Sequence, residues 1–298
     1  MLLSVVIPTR ERPHALRQCL ARLHSTRHAV EIIVSDDGNV ETTRQALHVE
    51  FPAVHFLQGP QRGPAANRNH GAAHATSDLL IFLDDDCIPR PDLLDNYAEA
   101  AEANPEIAAF EGRITPTGQC QSFADAAPVN ERGGYFWTCN VAIRRPAFES
   151  IGGFDERFVF AANEDMDIYR RLLPLTPVLF LHKAQVFHAY ELRLGERPLR
   201  HKGLSTVLYR QIHSGPRRWR DAYGFLRSAI RTLSREAPAR WRQGIRSHPM
   251  HLLRLVSYDL RLALITVFWG HRRWLTPLLF RPCCSGCRQI LLTIRSMP

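Results

Sequence analysis

Acidic side chains nearly vanish from the end of this chain. Of 29 Asp and Glu in 298 residues, four fall in 196–298, beside 20 Lys and Arg. That third carries a net +16 against −7 for residues 1–195, so the overall +9 belongs to it alone. Such a segment suits an anionic lipid surface, nucleic acid or an acidic face of the same protein. Its arginines are mixed with Leu, Ile, Val and Trp, which argues against a groove tracking phosphates and so against a nucleic-acid partner; a basic, solvated face is the plain alternative. A long apolar run is also missing. Met250–Phe268 is rich in Leu, yet Arg254, Asp259 and Arg261 interrupt it, whereas a spanning helix needs about 20 largely apolar residues. An amphipathic helix is expected there, lying on a membrane, packed on the domain or buried in a homodimer. Leu2–Ile7 is too short and lacks a cleavage-type sequence, so no secretory leader is expected, and a cytoplasmic location with reduced thiols follows. The seven cysteines form no regular framework. Cys283, Cys284 and Cys287 contain a CxxC spacing, but neither a second pair nor a neighbouring His completes a zinc pattern, and unpaired thiols are expected. No internal repeat is present, and 45% hydrophobic residues exclude a disordered chain.

What is present is an alternation of short apolar runs and helical patterns. Leu2–Ile7, Val30–Val34, Val54–Leu57 and Asp78–Leu83 read as strands. Helices are expected from Pro13, over 40–48, over Pro64–Ala75 and over Pro91–Asn104. Further strands are expected near Ile107–Phe110 and over Val178–His188, with a helix from Glu164. This order predicts a mostly parallel sheet covered by helices on both faces. Residues 115–135 are rich in Gly, Pro, Gln and Ala and read as a loop over a site. Helices over Pro198–Ile212 and Tyr223–Leu233 should precede the Met250–Phe268 helix. The expected division is residues 1–190 as one α/β domain and 191–298 as a basic helical extension.

Open parallel sheets bind ligands beyond the carboxyl ends of their strands, and three expected strand ends here carry polar or acidic groups: Thr9, Asp36–Asp37 and Asp84–Asp86. Three consecutive carboxylates after a buried strand have little structural use, so a bound cation beside an anionic ligand is the leading explanation and a solvated turn the alternative. Asp36 or Asp37 can equally cap the helix that follows. Glu164, Asp165 and Asp167 stand in the first turn of a helix, where negative charge is favourable for structural reasons alone. His188 closes a strand and reads as a metal ligand, a phosphate contact or a satisfied structural histidine.

Six segments in order carry a family likeness: SVVIPTRERP (4–13), IIVSDDG (32–38), RGPAANRNHG (62–71), LIFLDDD (80–86), CNVAIRR (139–145) and GGFDERF with NEDMDIYRR (152–171). Together they resemble the family 2 glycosyltransferases, whose fold is GT-A, a Rossmann-like α/β sheet flanked by helices. The likeness covers about residues 2–190 and leaves the last hundred unassigned. It implies an inverting, metal-dependent enzyme that moves a sugar from a nucleotide diphosphate to an acceptor hydroxyl. Asp84–Asp86 would be its DXD motif, with Asp86 on Mn²⁺ or Mg²⁺ and Asp84 or Asp85 nearer the ribose or sugar. Asp37 would read a uracil or thymine ring, with Thr9 near the base or ribose. UDP is therefore favoured over dTDP, and both over GDP. Arg68 would lie by the nucleotide, or pair internally with Asp84 or Asp85. Glu164 and Asp165 match the acceptor-side pair, Asp165 as the base, and His188 matches a ligand some GT-A enzymes provide. A saccharide or lipid-linked acceptor, envelope or glycolipid synthesis, and peripheral attachment to the inner face of a membrane are further expectations. Nucleotidyl transfer, nucleotide-sugar hydrolysis and an inactive sugar- or lipid-binding scaffold are the rival readings.

Overall fold

The computed structural model describes residues 1–23, 26–122, 125–192, 196–213, 218–242 and 249–297. The chain opens with β1 (Leu2–Thr9), α1 (Pro13–Leu20), β2 (Ala29–Asp36), α2 (Val40–Leu47), β3 (Val54–Gln58), α3 (Pro64–His74) and β4 (Leu79–Leu83). It continues through β5 (Cys87–Pro89), α4 (Leu93–Ala103), β6 (Ala109–Thr117), β7 (Asp125–Ala126), β8 (Asn140–Arg144) and α5 (Arg145–Ser150). Next come α6 (Glu164–Leu172), β9 (Val178–Ala189), β10 (Glu191–Leu192), α7 (Glu196–Ile212) and α8 (Arg218–Arg231). After a π turn, α9 (Ala237–Arg242), α10 (Pro249–Val267), α11 (Arg272–Leu279) and α12 (Ser285–Ser296) complete it.

Two compact units result. The first comprises Met1–Thr117, Ala127–Val159 and Glu164–Ala189; the second comprises Gly118–Ala126, Phe160–Asn163 and Tyr190–Pro298.

In the first unit one sheet runs in the order β3-β2-β1-β4-β8-β6-β9-β5. β1 and β4 are apolar at nearly every position because both faces of the sheet are covered. Leu3, Val5, Ile7, Ile81 and Leu83 pack with Leu16, Leu20 and Tyr97 on one side. Val6, Leu80 and Phe82 pack with Ala65, Ala72, Ile168 and Leu172 on the other. The alternation within each strand is the pleat itself, successive side chains pointing to opposite faces.

The sheet is mixed: four of its seven strand pairings are parallel, in keeping with the mostly parallel sheet expected from sequence, and three are antiparallel. β3, β2, β1 and β4 are mutually parallel, as helical crossovers require. β8 then runs antiparallel to both β4 and β6, and β5 antiparallel to β9, while β6 and β9 are parallel. The alternating pattern shows a crossover between neighbours in sequence and carries nothing about strands inserted later from a distance. β9 also contains a bulge: Gly112 pairs with Leu181 and Arg113 with Gln185, so His182 falls in the irregular part.

The stretch 115–135 is more ordered than a bare loop. Glu111, almost fully buried, accepts from the amides of Gly134, Tyr135 and Phe136 and from Asn130 Nδ2. One carboxylate thereby satisfies backbone groups that have no ladder partner. Residues 118–126 belong to the second unit, and 123–124 lie outside the described residues.

The second unit is helical, apart from β7 paired antiparallel with β10. Within it α8 packs on α10, and α7 on α10 and α12. No described helix is long and apolar enough to cross a membrane.

Candidate active site

The carboxyl ends of β1, β2 and β4 lie side by side because Thr9 is in register with Asp36, and β4 flanks β1 on its other edge. Asn67 on α3 ties this edge together. Its amide donates to the carbonyls of Ser35 and Thr9, and its Oδ1 accepts from Ser35 Oγ at 2.5 Å.

Asp36 and Asp37 divide their duties differently from the capping expectation. Asn39, not an aspartate, caps α2, accepting from the amides of Glu41 and Thr42. Asp36 accepts from Gly38 N at 2.7 Å and Thr43 Oγ1 at 2.5 Å. Asp37 accepts from Gln61 N at 2.9 Å and Gly63 N at 3.0 Å, and so holds the turn that starts α3. Gly63 is obligatory in that turn: its φ is +97°, and a Cβ would stand 2.4 Å from the Val159 carbonyl oxygen. Burial raises the pKa of Asp37, partly offset by those two amides and Arg10.

The three carboxylates after β4 face different ways. Asp85 is fully buried, accepting from Thr9 Oγ1 at 2.5 Å with Arg12 Nη2 at 2.6 Å. Burial pushes it up to about 7 despite Arg12 and Thr9, with Asp86 and Asp84 adding to the rise. It is an anchor, which leaves Asp84 and Asp86 as the acids facing outward. Arg12 also reaches Asp86 Oδ2 at 3.0 Å. Sequence reading missed this arginine as a site residue; the available signal was a cation just after one strand end in a site with three acids at another.

β5 explains His188. Cys87 pairs with His188 across β5 and β9, so Asp86 sits beside the imidazole, with His188 Nε2 3.2 Å from Asp86 Oδ1. His188 Nδ1 lies 2.7 Å from the Ala189 carbonyl. A carbonyl only accepts, so Nδ1 carries a proton and Nε2 is the nitrogen directed at the carboxylate. That pattern of outer hydrogen bond and inner ring nitrogen is the one metal-ligating histidines use. A carboxylate oxygen and Nε2 at this separation fit a shared divalent cation. Cys87 completes the cluster by position only, because its buried thiol donates to the Cys139 carbonyl.

Glu164, at the start of α6, joins the same edge through one side chain. Arg68, 2% exposed, places Nη2 2.6 Å from Asp84 Oδ1 and Nη1 3.3 Å from Glu164 Oε1. Burial acts to lower its pKa, yet the charges of Asp84 and Glu164 raise it on balance, and it stays a cation. Of the two expected roles of Arg68, this geometry is the internal pairing with Asp84. Burial first, then Asp165, pushes Glu164 up to about 8 against the pull of Arg68. Burial pushes Asp165 up to about 6, opposed by the Met166 amide, which donates to Oδ1 at 2.7 Å, and by Arg68. Glu164 Oε2 is buried without a hydrogen-bond partner among the described residues. Asp167 stands apart: fully buried, it pairs with Arg171, which also donates to the Ile151 and Gly153 carbonyls. Its work is structural.

Residues 4–151 match the model of the family described as Glycosyl transferase family 2. The chain is 28% identical over 189 residues to the pre-mycofactocin glycosyltransferase of Mycobacterium tuberculosis, covering 57% of this chain and 38% of that protein. It is 29% identical over 225 residues to the validoxylamine A glucosyltransferase of Streptomyces hygroscopicus subsp. jinggangensis, covering 59% and 53%. It thus spans about half or less of the length of these curated relatives. The mannosyltransferase PcManGT of Pyrobaculum calidifontis, solved with GDP-Man and Mn²⁺, superposes with a TM-score of 0.54 at 15% identity, over 99% of this chain and 85% of that one. Motifs, family match and architecture agree: this chain belongs to glycosyl transferase family 2 and has the GT-A fold.

Proposed function

We propose that the chain is a metal-dependent, inverting glycosyltransferase acting on a nucleotide diphosphate sugar. The observation that carries this is Arg68, which bridges Asp84 on the strand-end side to Glu164 on the acceptor side. A donor site and an acceptor site joined in this way are what transfer requires, and neither nucleotidyl transfer nor nucleotide-sugar hydrolysis needs the second. Residues 1–190 form the catalytic part in this reading and 191–298 an accessory helical part.

Asp86 and His188 would hold the divalent cation, Mn²⁺ or Mg²⁺, which neutralises a departing diphosphate. Asp84, with Asp85 fixed behind it by Thr9 and Arg12, faces the ribose or sugar. Asp37 retains lone pairs beyond the two amides it accepts, enough to take a base N–H; UDP is favoured and dTDP next. The GDP-Man bound by PcManGT is the alternative a nucleotide titration must address. Asp165 takes the acceptor proton as the new C–O bond forms, since its pKa, even raised to about 6, lies far below that of a sugar alcohol. The Met166 amide, donating to its Oδ1, orients it, and the Arg68 cation favours its charged form.

The acceptor is proposed to be a saccharide or lipid-linked saccharide of envelope or glycolipid synthesis, reached by docking of the basic second unit on the inner face of a membrane. A screen of nucleotide sugars and acceptors read by mass spectrometry tests the function. A sugar-sized mass gain that needs both metal and Asp165 supports it. Free sugar or pyrophosphate without a glycoside would establish a rival chemistry.

A further inference from the structure

The second unit holds a cluster of ligating atoms that glycosyl transfer does not use. Cys283 and Cys284 lie just before α12, Cys287 is in its first turn, and His201 projects from α7. Read from sequence, the CxxC spacing lacked a partner; the fold brings an imidazole from 82 residues upstream. His201 Nε2 lies 3.7 Å from both Cys283 Sγ and Cys284 Sγ. Cys287 Sγ lies 3.5 Å from each of the same two sulfurs, and all four ligand atoms fall within 4.8 Å of one another.

Four of the six separations are thus 3.5–3.7 Å, close to the edges of a small tetrahedron. A Zn²⁺ ion about 2.3 Å from sulfur and about 2.0 Å from imidazole nitrogen sets sulfurs about 3.8 Å apart and sulfur about 3.5 Å from nitrogen. The sulfurs are far outside bonding distance, and all seven cysteines are free thiols. The imidazole is oriented for the purpose: its ring stacks on Phe160 at 3.7 Å with planes 3° apart. Cys287 is fully buried, and the other ligands are partly shielded or open to solvent. Three thiols and an imidazole crowded together gain only weak hydrogen bonds from one another, whereas as thiolates they form a closed Cys₃His set. That softness selects zinc over the hard cations suited to carboxylates.

We propose that His201, Cys283, Cys284 and Cys287 bind one structural Zn²⁺ that pins the start of α12 to α7. The inference is independent of the glycosyl-transfer reading, because none of the four residues belongs to the site around Asp86.

The test uses the full chain, free of any polyhistidine tag. Elemental analysis after purification or zinc reconstitution should find one zinc per chain, retained in Asp86→Ala. Cobalt substitution should give a thiolate-to-cobalt charge-transfer band with the intense visible bands of a tetrahedral site. Cys287→Ser and His201→Asn should each lose that spectrum. Should these variants fail to fold, the cobalt spectrum of the unaltered chain decides by itself. The proposal is overturned if the folded chain takes up no stoichiometric zinc and its cobalt form shows no sulfur ligation. It is equally overturned if zinc leaves with Asp86→Ala, or if mass spectrometry finds a native disulfide among the three cysteines.

Discussion

Arg68 carries the strain of the proposed site, since its buried guanidinium keeps two otherwise repelling acids, Asp84 and Glu164, beside one another. Removing it leaves buried charge without compensation, so Arg68→Met should lower stability by about 3–5 kcal/mol in urea denaturation. With Asp165 as the proposed base, kcat/KM should fall as pH drops below about 6, because a base must be deprotonated to act. A limb near the ordinary aspartate value would show that burial does not tune it. Gly63→Ala should cost about 1–3 kcal/mol and loosen nucleotide binding, because the left-handed φ and the Val159 carbonyl both resist a Cβ; an unchanged denaturation midpoint would refute the strain. That Thr9, Asp36–Asp37 and Asp84–Asp86 meet at neighbouring strand ends was legible from sequence, because each follows an apolar strand. Partners were not. Asp85 turned inward to Thr9 and Arg12, and Asp37 turned to the amides of Gln61 and Gly63, through contacts that only tertiary structure creates.

Among elements, β1 to β4 were readable because strands covered on both faces are continuous apolar runs. β5 was not, having three residues and no pattern of its own, yet its pairing with β9 brings His188 to Asp86. The same reason hid the cysteine–histidine cluster, whose ligands come from helices far apart in sequence. α8 shows a face the sequence suggested only in outline. Trp219, Tyr223, Leu226 and Ile230 recur at helical spacing and are all exposed, the first at 76%, with Arg220, Arg227 and Arg231 exposed beside them. An apolar stripe edged with arginine suits the headgroup region of an anionic bilayer. Flotation with anionic vesicles should recover the full chain at low salt and less at high salt. Leu226→Ser with Ile230→Ser should weaken partitioning about 10-fold or more, as two apolar side chains no longer leave water. No binding by the unaltered chain would remove the membrane reading and leave transfer untouched.

For the whole molecule, the raised acids make stability depend on pH with a definite sign. Glu164 and Asp165 titrate near about 8 and about 6 when folded, against about 4.3 and 3.9 when unfolded. The unfolded chain releases their protons first, so their contribution to stability is full below about pH 4 and is lost as pH rises through the folded values. The metal-free protein should therefore weaken between about pH 5 and pH 8 in urea denaturation, and Glu164→Gln with Asp165→Asn should flatten the slope. The change of charge near residue 195 was legible in the sequence and lies close to Tyr190, where the last segment of the second unit begins, but which strand pairs run antiparallel was not legible in composition, since strand direction is set by connections. The central claim is that donor binding and proton removal reside in separate residues of one site. Calorimetric binding of UDP and GDP with Mn²⁺, paired with product formation, tests it in Asp86→Ala and Asp165→Asn. Asp86→Ala should lose metal-dependent nucleotide binding, while Asp165→Asn should bind nucleotide as the unaltered enzyme does and form no glycoside. Full transfer by Asp165→Asn, or unaltered metal-dependent binding by Asp86→Ala, would contradict it.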